Sequence, residues 1–131
     1  MTMADRMLAT IPSQPLLESA ALAACIEACR DCVTACSFCA DACLGEDMVA
    51  DLRGCITLDL GCADVCAATA TVLARQTNAN PALTSAILKA CAEACRLCAD
   101  ECEGHAEMHE HCRVCAEACR RCEEACRQLI A

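Results

Sequence analysis

Residues 25–43 read CIEACRDCVTACSFCADAC, and their cysteines recur at steps of four, three, four, three and four. These steps average about 3.5 residues, so on an α-helix all six cysteines lie along one side. A row of side chains with this period is typical of helices that face one another in a bundle. The stretch therefore predicts a helix whose buried side is made of cysteine.

The same spacing returns in three further blocks, which together with the first contain all 18 cysteines of the 131-residue chain. The blocks are Cys25, Cys29, Cys32, Cys36, Cys39 and Cys43; Cys55, Cys62 and Cys66; Cys91, Cys95, Cys98 and Cys102; and Cys112, Cys115, Cys119, Cys122 and Cys126. The second block is the sparsest, and Asp59 occupies a vacant position in its row. Four blocks of one pattern indicate an internal repeat of helices.

Strong helix formers, mostly Ala, Glu and Arg, fill the positions between the cysteines. The predicted helices are 16–44, 47–76, 82–104 and 106–129. Gly45 and Gly104 follow the first and third helices, and Asn80 with Pro81 provides a cap and a first helical residue for the third. Because the connections are short, consecutive helices run antiparallel. We expect an all-α, up-and-down four-helix bundle with a cysteine-lined core.

The first fifteen residues are predicted to be an N-terminal extension, and residues 16–131 the bundle domain. The N-terminus has no basic cluster followed by an apolar stretch, so we expect no export signal and a cytosolic protein with reduced cysteines. A net charge of −9 argues against binding to nucleic acid or anionic membranes, and no apolar run reaches the length of a bilayer span. The chain has no Trp or Tyr and one Phe, which excludes aromatic-lined ligand pockets.

The cysteines have three interpretations: apolar packing, disulfides or metal ligands. Leu, Ile, Val and Phe make up only 24 residues, and a core filled instead by the small cysteine side chain buries little apolar area. Residues three or four apart on a helix hold their β-carbons about 5–6 Å apart, whereas a disulfide needs about 3.5–4.5 Å. Bridges between helices stay geometrically open, but long regular helices are unlike disulfide-rich scaffolds. Metal ligation is the favoured interpretation.

Charge distinguishes the candidate metals. A Zn²⁺ ion in a site of four thiolates leaves a net −2, whereas one Cu⁺ per thiolate replaces one proton by one charge and stays neutral in a buried core. Soft thiolates also favour Cu(I), and bridging sulfurs allow about one metal per cysteine, on the order of 18. A metallothionein-like zinc buffer and a thiol redox sink remain as alternatives. We find no iron–sulfur, thioredoxin-type or hydrolytic motif and expect no enzymatic activity.

The two ends of the bundle are expected to differ. One end gathers the aliphatic residues Leu22, Leu73, Ile87, Leu88, Leu129 and Ile130. At the other end the rows continue into Met48, His105, Met108 and His109, with His111 close by but off the row. Thioether and imidazole both bind copper, so we expect Cu(I) to enter at this end. The alternative is that polar residues simply collect at exposed helix ends. Asp59 is interpreted as a polar interruption, since a hard carboxylate is a poor Cu(I) ligand.

The repeated CxxxCxxC pattern, in CIEACRDCVTACSFCADAC, CAEACRLCADEC and CRVCAEACRRCEEAC, together with HAEMHEHC, resembles the bacterial cysteine-rich four-helix-bundle copper storage proteins of the cytosolic branch. The resemblance covers about residues 16–130. It implies Cu(I) bound by all eighteen cysteines, an entrance at His105, Met108, His109 and Met48, and a cytosolic copper buffer that assembles as a homotetramer. A copper chaperone is a further expected partner. The second helix departs most from the pattern, with three cysteines and Asp59.

Overall fold

The computed structural model describes residues 1–130, and within them the chain is all-helical. The helices are α1 (Met3–Leu8), α2 (Ser19–Leu44), α3 (Arg53–Leu73), α4 (Pro81–Glu103) and α5 (Glu110–Ile130), and a 3-10 turn, Val49–Leu52, leads into α3. Helices α2 to α5 correspond to the four predicted helices. Ala131, the last residue of the predicted 16–131 domain, lies outside the described residues.

The four long helices form the bundle. α2 packs on α3 and α5, and α4 packs on α3 and α5, so each helix has two neighbours and the cysteine rows meet at the centre. The short α1 packs only on α2. This arrangement confirms the predicted all-α four-helix fold.

The predicted helix boundaries hold where capping residues were recognised. The Asn80 side-chain oxygen accepts a hydrogen bond from the Leu83 N–H at 2.9 Å, and Pro81 is the first residue of α4. Gly45 and Gly104 directly follow α2 and α4. Caps of this kind satisfy backbone groups that have no partner within the helix.

Three predicted helix starts are wrong by three to six residues. α2 starts at Ser19 rather than 16, because the Glu18 carboxylate accepts hydrogen bonds from the first free N–H groups of the helix. The segment predicted to begin a helix at 47 enters α3 through the 3-10 turn. α5 begins at Glu110 rather than 106, because residues 104–108 form turns.

The N-terminal segment is fastened to the turn after α3. The Gln76 side chain accepts a hydrogen bond from the Leu16 N–H at 2.9 Å and donates to the Leu73 carbonyl at 2.8 Å, and it is buried. The hydrogen bond to the Leu73 carbonyl caps the C-terminus of α3, which ends at Leu73 rather than at the predicted residue 76. The aliphatic end lies beneath it, with Leu22, Leu73 and Leu88 buried and Ile87, Leu129 and Ile130 partly buried.

One helical stretch, Val49–Leu73, is long and apolar enough by length and composition to cross a membrane, with a mean hydropathy of 1.5. This differs from the expectation that no apolar run would reach that length. Its mean hydropathy is high because it is rich in cysteine, alanine and leucine. Cys55, Cys62 and Cys66 all point into the bundle core, and Asp59 is buried beside them. The stretch is therefore typical of a helix at the centre of a bundle.

Candidate metal centre

All eighteen cysteines are free thiols, and each is at most 1% exposed. Neighbouring sulfurs lie 3.5–4.0 Å apart, as in the pairs Cys55–Cys102 at 3.5 Å and Cys25–Cys126 at 3.7 Å. A disulfide would need about 2.05 Å. The core is thus a column of closely spaced, reduced sulfurs that extends from Cys25 and Cys126, beside the buried leucines, to Cys39 and Cys112 near the opposite end.

The sulfurs group into overlapping sets of four whose ligand atoms all lie within 4.8 Å of one another. Four such sets are Cys29, Cys91, Cys122 and Cys126; Cys32, Cys66, Cys95 and Cys122; Cys32, Cys36, Cys62 and Cys119; and Cys36, Cys98, Cys115 and Cys119. Each set draws sulfurs from at least three helices. Because the sets share members, one thiolate is positioned to bridge two metals, as polynuclear thiolate chemistry requires.

Asp59 interrupts this column of sulfurs. Its side chain has no solvent exposure, and its Oδ1 accepts from the thiols of Cys98 at 3.1 Å, Cys115 at 3.2 Å and Cys102 at 3.5 Å. Burial raises the pKa of this carboxyl to about 8, with the neighbouring Cys115 sulfur adding to the effect. In the metal-free protein near neutral pH the carboxyl is mostly protonated and hydrogen-bonded.

His111 lies closest of the three histidines to the sulfurs. Its Nδ1 is 3.4 Å from the Cys39 sulfur and 3.6 Å from the Cys112 sulfur, and with Cys43 these groups form a further four-ligand set. The sequence analysis placed His111 beside the cysteine row rather than on it, because in a regular helix that starts at residue 106 its side chain would point away from the core. The signal for its role is its position directly before Cys112 at the start of α5.

The other two histidines lie in or beside the turn 104–109. His109 is 8% exposed, its ring stacks on the His111 ring at 5.5 Å, and its Nδ1 lies 3.1 Å from Glu46 Oε2. The same Glu46 oxygen is 2.8 Å from His111 Nε2, and this hydrogen bond lowers the pKa of Glu46. His105 Nε2 is 2.7 Å from Glu101 Oε2. Each histidine is thus oriented by a carboxylate, as metal-ligating histidines commonly are.

The two methionines of the predicted entrance lie at the surface of the same end. Met108 is 67% exposed and Met48 is 38% exposed. The structure therefore places His111 against the thiols, His105 and His109 in or beside the turn 104–109, and Met48 and Met108 on the exposed surface of the two connections.

No Lys or Arg is buried among residues 1–130: the buried polar residues are Asp59, Thr69, Gln76, Thr84 and, at the end of the bundle, His109. Burial raises the pKa of the Cys43 thiol to about 11 and also raises that of Cys112. Cys43 and Cys112 therefore favour the neutral thiol, and a thiolate formed at either position needs a bound metal to balance its charge. A monovalent ion that replaces each proton leaves the core neutral.

The sequence pattern of the family described as copper storage protein matches residues 18–131. The chain belongs to the copper storage protein family. The predictions of this family, of a copper-storing function and of Cu(I) as the metal are confirmed. The zinc buffer and the redox sink are not favoured.

Solved structures of other copper storage proteins share the fold. The copper storage protein of Streptomyces lividans loaded with 10 copper equivalents is 54% identical, covers 97% of this chain and 97% of its own, and has a TM-score of 0.95. A five-copper structure of a cytosolic copper storage protein from the same organism is 59% identical, with 85% and 92% coverage and a TM-score of 0.84. The apo copper storage protein 3 of Bacillus subtilis is 42% identical, with 82% and 97% coverage and a TM-score of 0.70. No curated protein matches the chain.

Proposed function

We propose that this chain is a cytosolic store of Cu(I), in which all eighteen cysteines bind copper as bridging thiolates. The observation that carries the proposal is the column of buried, closely spaced, reduced sulfurs, with no Lys or Arg buried among the described residues. Cu(I) suits both the soft ligands and the charge balance. A relative from Streptomyces lividans that is 59% identical is itself described as cytosolic, which supports the location.

The capacity follows from the bridging. With two sulfurs per copper and two coppers per sulfur, the core holds about one ion per cysteine, on the order of 18 per chain. Zinc at the same ligands would leave roughly −2 at each site of four thiolates in a core that offers no compensating positive charge. This charge is the physical reason for preferring copper to zinc.

We also propose that copper enters at the end formed by residues 45–52 and 104–111, which we call the histidine end. His105, His109, Met48 and Met108 act there as weak transient ligands that pass Cu(I) inward. His111 is added to this set, because its Nδ1 faces the thiols directly. The opposite end is closed by buried leucines, which have no affinity for the ion.

Three further parts of the proposal rest on the sequence. Residues 1–15 form an extension and residues 16–131 the copper-binding domain. The chain has no enzymatic role, since its sequence lacks a catalytic constellation. The resemblance to cytosolic copper storage proteins supports a homotetramer, and a copper chaperone is the proposed partner. The oligomeric state is measured directly by light scattering of the purified protein.

Anaerobic titration tests the stored metal. We expect Cu(I) binding to saturate near one ion per cysteine, with thiol groups lost in parallel, when a Cu(I)-specific chromophoric chelator reports free ion. A parallel titration with Zn²⁺ provides the comparison. Saturation at about four Zn²⁺ with little uptake of copper would overturn the proposal. Thiol counts far below eighteen on freshly prepared reduced protein would instead favour the redox sink.

Replacement of histidines tests the entrance. We expect His105→Ala/His109→Ala to slow Cu(I) loading several-fold in stopped-flow measurements without altering the final capacity, because these side chains bind copper only in transit. His111→Ala is the informative companion, since it removes a nitrogen that faces Cys39 and Cys112 and should also weaken the first ions bound. Unaltered loading by the double variant would refute an entrance role for His105 and His109.

A further inference from the structure

One carboxylate at the histidine end is shared by two histidines. Glu46 lies in the connection that follows α2, and its Oε2 is 3.1 Å from His109 Nδ1 and 2.8 Å from His111 Nε2. The two imidazole rings stack with their centroids 5.5 Å apart and their planes 22° apart. Both hydrogen bonds join one connection of the bundle to the other, so a single side chain holds the histidine pair.

The chemistry of Glu46 decides which nitrogen of each ring carries a proton. The hydrogen bond from His111 lowers the pKa of Glu46, so this group is a carboxylate near neutral pH and can only accept. Each ring therefore donates the N–H that faces it, which is Nδ1–H in His109 and Nε2–H in His111. A neutral imidazole carries one proton, so the free lone pair lies on Nε2 of His109 and on Nδ1 of His111.

The free lone pair of His111 faces two sulfurs of the core. Its Nδ1 is 3.4 Å from the Cys39 sulfur and 3.6 Å from the Cys112 sulfur, and these sulfurs are 3.8 Å apart. A thiol must lose its proton before it binds a metal ion, whereas this nitrogen needs neither a proton transfer nor a turn of the ring. His111 is thus the ligand of this group that is ready before copper arrives.

We propose that Glu46 is a positioning residue that fixes His109 and His111 in opposite tautomers, so that His111 Nδ1 meets incoming Cu(I) beside Cys39 and Cys112. The proposal rests on the proposed storage function, because it requires Cu(I) to reach this end of the bundle. Carboxylates that hold a ligating histidine fix its tautomer and raise its basicity. Within residues 1–130 no other Asp or Glu forms an ion pair with either ring.

The binding step that Glu46 prepares is an exchange of ligands. Cu(I) leaves its donor ligand, one bond forms from the Nδ1 lone pair of His111, and a second forms to the sulfur of Cys39 or Cys112. That thiol gives its proton to the released donor ligand or to water, and the Nε2–H bond to Glu46 is kept. One proton leaves for each Cu⁺ that binds, and no electron moves.

Nitrogen NMR reads the tautomers directly. In reduced, copper-free protein labelled with nitrogen-15 histidine, at about pH 8 where imidazole is normally neutral, we expect His111 to be protonated at Nε2 and His109 at Nδ1. Glu46→Ala should leave both rings as mixtures of tautomers with averaged nitrogen shifts. Glu46→Gln should restore the wild-type pattern, because its amide oxygen can accept the same two hydrogen bonds. Wild-type protein with His111 protonated at Nδ1 would overturn the proposal.

The rate of copper loading measures the consequence. In stopped-flow mixing with a Cu(I)-chelator complex, we expect Glu46→Ala to slow the first phase about tenfold or more and Glu46→Gln to slow it much less. Asp47→Ala is the matched control, since it removes the same charge from the exposed neighbouring residue, and it should load as the wild type does. In a His111→Ala background Glu46→Ala should add little, because its effect passes through that ring.

Copper content and stability keep the possible outcomes apart. Each variant should take up the wild-type amount of copper and, when copper-free, melt as the wild type does, because Glu46 is 33% exposed and lies outside the sulfur column. If Glu46→Ala loads as fast as the wild type, or if Asp47→Ala slows loading equally, the positioning role is refuted even though capacity stays near one ion per cysteine. A small capacity in the wild type refutes the storage function instead, and the copper-free spectra still decide the tautomers.

Discussion

Copper-loaded protein is expected to unfold more than about 20 °C above the metal-free protein. A ligand present at a thousand times its dissociation constant stabilises the folded state by about 4 kcal/mol per site. In a domain of this size 1 kcal/mol corresponds to roughly 3–5 °C. A few saturated sites are therefore enough, and the core provides ligands for many more.

The large effect follows from what the apo core lacks. Its only fully buried leucines are Leu22, Leu52, Leu73 and Leu88 among the described residues, and cysteine fills nearly all the remaining length. Sulfurs 3.5–4.0 Å apart make weak mutual contacts, whereas a bridging metal ties them with coordinate bonds. Because these ligands come from all four long helices, each bound ion restrains the helices relative to one another.

Calorimetry or circular dichroism at several copper ratios provides the measurement. The control is the same copper added with an excess of a strong Cu(I) chelator, which should return the melting temperature to that of the apo protein. Equal melting temperatures with and without bound copper would mean that the cysteines act as ordinary apolar filler. A stepwise increase that follows the number of ions bound is the expected result.

The sequence was sufficient for the bundle because one repeated spacing governs most of it. The 3.5-residue period of the cysteines places them on one side of each helix whatever lies at the helix ends, and the structure buries every one of them. The start of α4 at Asn80 and Pro81 was predictable for a different reason: helix capping depends only on residues next to one another in the sequence.

The histidine end was harder to predict because its geometry depends on contacts between separate segments. The prediction that His105, Met108 and His109 continue the cysteine row depends on a helix that starts at residue 106. In the structure residues 104–108 form turns instead, and His109 contacts Glu46 in the connection between α2 and α3. Because α5 begins only at Glu110, His111 lies in its first turn, and its ring faces the Cys39 sulfur. A helical period gives no information about residues that lie outside a helix.

Asp59 was located correctly in the row, but its environment required the structure. Thiols from two other helices surround it, Cys98 and Cys102 on α4 and Cys115 on α5, and the spacing along α3 alone does not indicate these neighbours. Because its neighbours donate hydrogen bonds and none is basic, burial dominates and the pKa rises to about 8. That value makes Asp59 the source of a measurable pH dependence.

Asp59→Asn is expected to remove a large part of the pH dependence of stability in the metal-free protein. An unfolded carboxyl titrates near pH 4, whereas folded Asp59 titrates near 8. Since the folded pKa is the higher, the stabilisation by the neutral carboxyl is complete below pH 4 and is lost as the pH rises through 8. From pH 4 to 8 the wild-type free energy of unfolding should therefore fall by about 3–5 kcal/mol more than that of the variant.

Urea unfolding of reduced, copper-free protein at intervals between pH 4 and 8 measures this difference. Asparagine keeps the size of the side chain and an oxygen that accepts from the thiols, so the comparison isolates the charge. Asp64→Asn, five residues further along α3 and exposed, is the matched control and should follow the wild type. Parallel loss of stability in wild type and Asp59→Asn would show that the buried carboxyl is not the group that titrates. A flatter profile for Asp59→Asn alone identifies the cost of an anion that the metal-free core has no cation to balance.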